Sequence, residues 1–422
     1  MKTDNNSGVI LVAVVCFTAI TAILALGLLS ESSSQLKLAD RQVRLEQAFY
    51  AAEGGAERAV SCIANSGGNP PGVITGAIDN GTYRVTINAV AGAGQTWYTI
   101  VSTGEVSGIK KSVMMTGVRQ QAWSRYAMFY NSAAGAIWIR GGEIFSGPVH
   151  ANCPIYLTGN PIFQDEITTT ANNWGPGSDT NNVQFWQGWQ FNAPSQSIAS
   201  INFGALRTNA SLVVTGTTSI RISGTNLFIT NDRRGWNQTN YAAINANILT
   251  GGTGLIYVVS AGGGTNLGTA SVGGTNLDGR LSIVTDYDIY ITNHITYANT
   301  NITLGMTNTS NDALGLIARN DVVVRTEAPN NLNLFAHIIA ACPTNSYSHG
   351  FYVQNYSTRS PSGNLNVYGG IVEFTRGAVG MVSGNGFMKN YTYDTRFATD
   401  PPPMYPVVTN VYQWTSWRDK PP

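Results

Sequence analysis

Gly8-Val9-Ile10-Leu11-Val12-Ala13-Val14-Val15-Cys16 opens a run that continues to Ser30 without a charged side chain. At 1.5 Å per residue in a helix, its roughly 22 residues reach about 33 Å, enough to cross a hydrocarbon core of about 30 Å. The run is longer than the apolar part of a secretory signal, and no clean small-residue cleavage site follows it. It therefore reads as a retained membrane span over residues 9–30. Lys2 and the α-amino group precede it, and Lys37, Arg41 and Arg44 follow; the short leader favours a cytoplasmic amino end.

Beyond the run, residues 31–64 hold no Pro, and no Gly before Gly54-Gly55. They are rich in Leu, Ala, Gln, Arg and Glu, all good helix formers, so the spacing predicts one helix over residues 9–65. Such a rod is about 85 Å long. On its outer half Ala48, Ala51, Ala52, Gly55, Ala56 and Ala59 recur at intervals of three and four and share one face. A stripe of small residues permits close approach of another element. The chain's own next domain and a neighbouring molecule are both open as its partner.

These residues carry a resemblance. Ser7-Gly8-Val9-Ile10-Leu11-Val12-Ala13, the long uncharged helix, and Gln47-Ala48-Phe49-Tyr50-Ala51-Ala52-Glu53-Gly54-Gly55-Ala56 at its far end resemble the amino terminus of PilX-type minor pilins of type IV pili. They also resemble that of the K-type minor pseudopilin of type II secretion. The resemblance implies cleavage between Gly8 and Val9 by a prepilin peptidase, with residues 1–8 as leader, and partnership with other pilin or pseudopilin subunits. Ala13 stands where ordinary pilins carry a Glu that pairs with a neighbour's amino group. A carboxylate in a lipid-like core is costly unless it meets a partner charge. A subunit without it fits a place with nothing above it, and the resemblance implies the filament tip.

Residues 65–72 read as a turn. Thr82-Tyr83-Arg84-Val85-Thr86-Ile87, Trp97-Tyr98-Thr99-Ile100-Val101-Ser102 and Lys111-Ser112-Val113-Met114-Met115-Thr116 alternate in polarity and predict a small antiparallel sheet over residues 66–121. From about residue 122 the texture changes to short apolar runs, such as Ile220-Arg221-Ile222, Leu255-Ile256-Tyr257-Val258-Val259 and Val322-Val323-Val324, separated by Asn, Thr, Ser and Gly. Runs of three to five residues without a helical period predict many short strands, and a parallel β-solenoid accommodates them better than a sandwich. The tail Pro401-Pro402-Pro403-Met404-Tyr405-Pro406, with Trp414 and Trp417, is expected to lie over the last turn as a cap. A second resemblance, carried by Gly147-Pro148-Val149-His150-Ala151-Asn152, Gly369-Gly370 and Gly386-Phe387-Met388-Lys389-Asn390-Tyr391, is to a domain of unknown function found after PilX-like amino ends; it implies no activity.

Only 11 % of the 422 residues are charged and the formal net charge is +1, so the chain has no basic field for nucleic acid. Cys16, Cys62, Cys153 and Cys342 are too few for a disulfide framework, and no C-x-x-C pair is present. Cys153 and Cys342 each precede Pro and follow a histidine, His150 and His337. Three readings are open for them: buried thiols, a disulfide in an oxidising compartment, or a four-residue zinc site. Neither half carries the usual cysteine knuckle, so no metal ligand is assigned. Phe185-Trp186-Gln187-Gly188-Trp189-Gln190-Phe191 fits a half-buried strand better than a sugar-stacking platform. Asp286, Asp288, Asp165, Glu166 and Asp321 are the acidic groups in strand-rich context; turn capping explains them more simply than acid–base work. Asn237 and Asn301 open Asn-x-Ser/Thr matches of little weight in so Asn- and Thr-rich a chain.

The sequence thus predicts an α+β amino-terminal module, a long transmembrane helix plus a small antiparallel sheet. A mainly-β domain over residues 122–422 follows, read as a parallel β-solenoid (β-helix) with a Pro/Trp-rich cap. The expected function is a non-enzymatic minor pilin or pseudopilin without cofactor, made as a bacterial inner-membrane precursor and displayed in the periplasm or on a surface filament for assembly or adhesion. The external glycan or protein ligand is unassigned. The alternative, from another class, is a membrane-anchored β-helix protein that binds or cleaves polysaccharide.

Overall fold

The computed structural model describes residues 6–66, 68–91, 96–198, 201–240, 253–262, 267–298, 310–344, 346–381 and 383–420. Residues 1–5, within the expected leader, and Asn301 lie outside them. The chain divides into two units, one made of residues 1–90, 96–119 and 412–422, the other of residues 91–95 and 120–411.

In the first unit, helix α1 (Asn6–Asn65) is followed by strands β1 (Val73–Ile78), β2 (Gly81–Ala91), β3 (Thr96–Val106) and β4 (Ile109–Ala122). The strands lie in chain order in one sheet, with β1 antiparallel to β2 and β3 to β4. Ser107 and Gly108 both have positive φ, 48° and 81°. A two-residue hairpin turn needs that backbone, and it sets Val106 opposite Ile109. Alternate residues of β3 are buried, as in a sheet with one face on a core. That core joins Ala52, Ala56, Ala59 and Ile63 of α1 to Val85, Ile100, Val113 and Met115 of the sheet.

Of the expected cap, Met404 and Tyr405 pack with Tyr257 and Ile317 of the second unit, and the Pro403 carbonyl accepts from Ser282 Oγ at 2.6 Å; the last residues do otherwise. Ser416–Lys420 forms a strand antiparallel to β4, with Ser416 opposite Thr116 and Lys420 opposite Ser112. Lys111 Nζ lies 3.1 Å from an Asp419 carboxylate oxygen along this pair. The physical reason is the edge that β4 presents: its unpaired N–H and C=O groups take up the last extended segment of the chain.

The second unit is a mixed network of strands. One ladder is parallel throughout. Its central column runs Leu212, Ile256, Ile283, Leu316, Ile338, Ile371, Met128, Val149, Ile167, Trp189, each opposite the next. A second parallel column runs Ile220, Val272, Ile291, Val324, Val353. The apolar side chains between the two columns form the main core.

The regular parallel solenoid expected from the sequence does not form, for two reasons. First, strand order does not follow chain order: the strand Met128–Ala133 sits beside Asn364–Arg376, so the earliest strands of the unit continue from the late ones. Second, the sheets are mixed. Thr218–Ser223 and Asn226–Asn231 form an antiparallel hairpin about Gly224, which has φ 60°, and Trp236–Asn240 adds antiparallel to it.

The chain between Trp189–Gln190 and Leu212–Thr215, which stand at opposite ends of the long column, contributes Ile198, Ile201, Phe203 and Leu206. These pack on Leu255, Tyr257, Val284, Ile317, Ile339 and Val372, the outward side of the ladder. Leu255–Val259 and Ala313–Ala318 are consequently buried at every position. Strands covered on both faces read as unbroken apolar runs, and these do.

Candidate assembly helix

The residues from Val9 to Leu29 that carry large apolar side chains are all more than half exposed, and the helix is long and apolar enough to cross a membrane. Continuous exposed apolar surface of this extent marks a surface meant for lipid or for other chains. Its backbone groups are bonded within the helix, as hydrocarbon requires. Its hydroxyls turn inward as well: Thr18 donates to the Val15 carbonyl at 2.9 Å and Thr21 to that of Phe17 at 3.0 Å. Ala13 is exposed on this stretch, and Cys16 likewise. Charge begins beyond the span, where Asp40 and Arg44 pair at 2.9 Å one helical turn apart.

The small-residue stripe faces the chain's own sheet. Ala48, Ala51, Ala52, Ala56 and Ala59 are buried. A Cβ on Gly104 of β3 would stand 2.0 Å from the Ala48 carbonyl oxygen and 2.6 Å from the Ala52 nitrogen, so sheet and helix backbones nearly touch there. From the helix side, a Cβ on Gly55 would stand 2.5 Å from Ser102 Oγ. Of the two partners left open by the spacing, the chain's own sheet takes the stripe. Helix α1 therefore has two halves of opposite character, a bare apolar half and a half sealed to its sheet.

Other residues singled out by sequence scatter. Cys153 and Cys342 are both free thiols, and the candidate disulfide is not made. Cys153 packs with the cluster of Ile155, Leu157 and Trp174, where burial pushes its thiol up to about 11. Cys342 lies instead against Thr344 and His349. The histidines upstream of them are committed elsewhere. His150 bonds Thr168 and Asn152 at 2.7 and 3.0 Å. His337 lies between the Tyr405 hydroxyl at 2.6 Å and the Tyr126 carbonyl at 3.0 Å.

The carboxylates fix turns. Asp286 accepts from the Tyr257 hydroxyl at 2.7 Å and the Ser260 backbone at 2.9 Å. Asp288 accepts from Asn320, Tyr290 and the Asp321 backbone, and Asp165 accepts from the Glu166 backbone. Phe185 extends a stack over Phe163 and Phe145, with centroids 5.6 and 5.3 Å apart and rings within 10° of parallel. Trp174 continues the stack on Phe185 at 5.5 Å, while Trp186 and Trp189 remain exposed.

A cleft of about 440 Å³, which no motif in the sequence announced, is lined by Trp138, Tyr347, Tyr356, Phe387, Arg140 and Lys389. Lys389 Nζ lies in its wall 3.2 Å from Glu143 and donates to the Trp138 carbonyl at 3.0 Å; burial pulls it down to about 8. Lone Lys and Glu residues far apart in sequence offer no spacing that signals such a pair.

A family model described as a domain of unknown function (DUF4900) matches residues 82–172, from within β2 into the second unit. That stretch contains the Gly147-Pro148-Val149-His150-Ala151-Asn152 part of the resemblance noted above. No curated protein sequence matches the chain. Among solved structures, the chain is similar to the competence-associated pilin ComZ from Thermus thermophilus, at 13 % identity over 89 % of this chain and 97 % of that one, with a TM-score of 0.31. A superposition that loose does not define a shared fold. The long apolar amino-terminal helix and the mostly-β body that follows it are features of this chain itself.

Proposed function

We propose that the chain is a non-enzymatic, pilin-like filament subunit: a minor pilin or pseudopilin that enters the inner membrane through residues 9–30. A prepilin peptidase cuts it between Gly8 and Val9, and it leaves the bilayer by bundling that helix with those of other subunits. The β unit is then displayed in the periplasm or at the cell surface. One observation carries the reading, the division of α1 into an exposed apolar half and a half whose Ala48, Ala52 and Ala56 are locked on an antiparallel sheet. A plain single-pass anchor needs only the first half. Continuation of the same rigid helix into a globular core transmits the position of the head to a bundle of helices. The missing carboxylate at Ala13 supports a terminal place in the filament, because nothing there neutralises the amino group of a subunit above. The bonds that tie Asp286 and Asp288 into turns support a structural role for those acids.

Mass spectrometry of the protein recovered from its native host tests this directly. The expected mature amino terminus is Val9, and the expected location includes sheared surface or periplasmic filaments. An intact Met1, or a mature terminus beyond Ser30, overturns the reading, as does a processed chain confined to the bilayer while the filament machinery is active.

A further inference from the structure

Three side chains of different chemistry converge in the second unit, at the ends of parallel strands. Asp321 precedes the strand Val322–Val324, Cys342 follows Leu332–Ala340, and His349 precedes Phe351–Val353. The ladder fixes their backbones: Cys342 N–H donates to the Asn320 carbonyl at 3.1 Å and Val322 N–H to the Gly350 carbonyl at 3.0 Å. His349 Nδ1 lies 2.9 Å from Asp321 Oδ2 and 3.6 Å from Cys342 Sγ. The three donor atoms are all within 4.8 Å of one another.

We propose that Asp321, Cys342 and His349 bind a borderline-soft divalent cation, zinc by preference, with the fourth corner of the tetrahedron left to water. The geometry is specific. Ligand distances of about 2.3 Å for sulfur and about 2.0–2.1 Å for nitrogen and oxygen give tetrahedral edges of about 3.5 Å between S and N and about 3.3 Å between N and O. The S···N edge is in place at 3.6 Å, and the N···O edge needs to open by about 0.4 Å to reach the tetrahedral value.

The surroundings hold the donors as a metal site needs. Asp321 Oδ1 accepts from the Gly350 backbone at 2.8 Å, which turns Oδ2 toward the other two. The Asp321 backbone is itself held by Asp288 at 3.2 Å. Asp321 and Cys342 are each 3 % exposed, whereas the His349 side chain is about a third exposed, giving an ion a way in. A thiolate, an imidazole and one carboxylate select zinc or cobalt over magnesium or calcium, which require oxygen sets.

The exchange balances without electron transfer. The Cys342 S–H, which donates to Thr344 Oγ1 at 3.3 Å, loses its proton to solvent as the sulfur–metal bond forms. His349 Nδ1–H donates to Asp321 Oδ2 at 2.9 Å in the metal-free chain; as the ion enters, the ring exchanges with solvent to the Nε2–H tautomer and presents the Nδ1 lone pair. Carboxylate and thiolate together cancel the charge of the dication. The bound ion would staple two neighbouring connections of the ladder, the one that carries Asp321 and the one that carries both Cys342 and His349.

The test is cobalt titration of the chelator-treated full chain in detergent, read by absorption and followed by thermal unfolding. One cobalt per chain is expected, with a thiolate-to-cobalt charge-transfer band in the near ultraviolet, the strong visible bands of four-coordinate cobalt, and a raised unfolding temperature. Cys342→Ser removes the charge-transfer band, and His349→Asn weakens binding by more than about tenfold, the loss that removing even an outer-shell partner brings. A Cys16→Ser, Cys62→Ser, Cys153→Ser triple variant keeps the band. If wild type at saturating cobalt gives only the weak spectrum of the six-coordinate ion, or if the triple variant loses the band, the proposal is overturned. Both of these outcomes are measured on chains that retain Cys342, so they hold whether or not the Cys342 variant folds.

Discussion

Trp417 packs edge-on against Phe49, with ring centroids 5.9 Å apart and planes at 89°. Near the end of the chain, the tail thereby touches the same helix that opens it, while Trp417 pairs with Met115 of β4.

Replacing Trp417 by Ala removes that ring contact and part of the cover over β4. Trp417 is 42 % exposed, so the expected loss is about 1–2 kcal/mol, an edge-to-face pair plus partial burial. Hydrogen exchange at residues 112–116 should quicken selectively. Unchanged protection there would show that the last strand contributes nothing to the sheet.

Gly104→Val puts side-chain atoms where the Ala48 carbonyl and Ala52 nitrogen already stand. Neither backbone can yield without lifting α1 off the sheet, and overpacking of this kind costs about 1–3 kcal/mol. Gly72→Ala, at a position where an added Cβ meets nothing within 4 Å, is the matched control and should leave the urea midpoint in place. Equal midpoints for both variants would contradict the close approach.

Asp394 is fully buried and paired with Arg396, whose Nε lies 2.9 Å from Oδ1 and whose Nη2 also donates to the Asp312 carbonyl at 2.8 Å. Arg396→Leu strands the carboxylate, and removing one partner of a buried pair costs about 3–5 kcal/mol. Calorimetry should show a large drop in the unfolding temperature of the second unit. A double change, Arg396→Leu with Asp394→Leu, should recover part of it.

His337 titrates late. Burial pulls its imidazole down from 6.5 to about 3. The Tyr126 carbonyl can only accept, so Nε2 carries the proton and Nδ1 accepts from the Tyr405 hydroxyl. Between pH 6.5 and about 3 the unfolded chain binds a proton that the folded chain refuses, so this residue makes stability fall as the pH falls through that window. His337→Phe lacks this contribution. The stability difference between wild type and variant, followed by urea titration, should move against wild type on acidification, and a pH-independent difference would show that the ring titrates normally in the fold.

The apolar run from Val9 to Leu29, the helix beyond it and the stripe Ala48, Ala52, Ala56 were legible because they are local: composition sets the lipid-facing length, and spacing along one helix sets the shared face. The alternation in β2, β3 and β4 was legible for the same reason, since a strand with one covered face repeats every two residues. Partners were not. Spacing shows that Ala52 is covered and cannot show that Gly104 covers it.

In the second unit the runs Leu255–Val259 and Ala313–Ala318 are buried on both faces, so they lose the alternation that encodes register, and one Val- or Ile-rich strand suits many neighbours. Tertiary packing alone placed Ile371 beside Met128, gave the tail to β4, and drew Cys342 to His349 and Asp321 instead of to His337 or Cys153. The physical reason is common to all three. Periodicity along a chain reports which side of an element is hidden, whereas contacts between distant segments are chosen by shape, by edges in need of hydrogen bonds and by the burial of charge, and those exist only once the chain has folded.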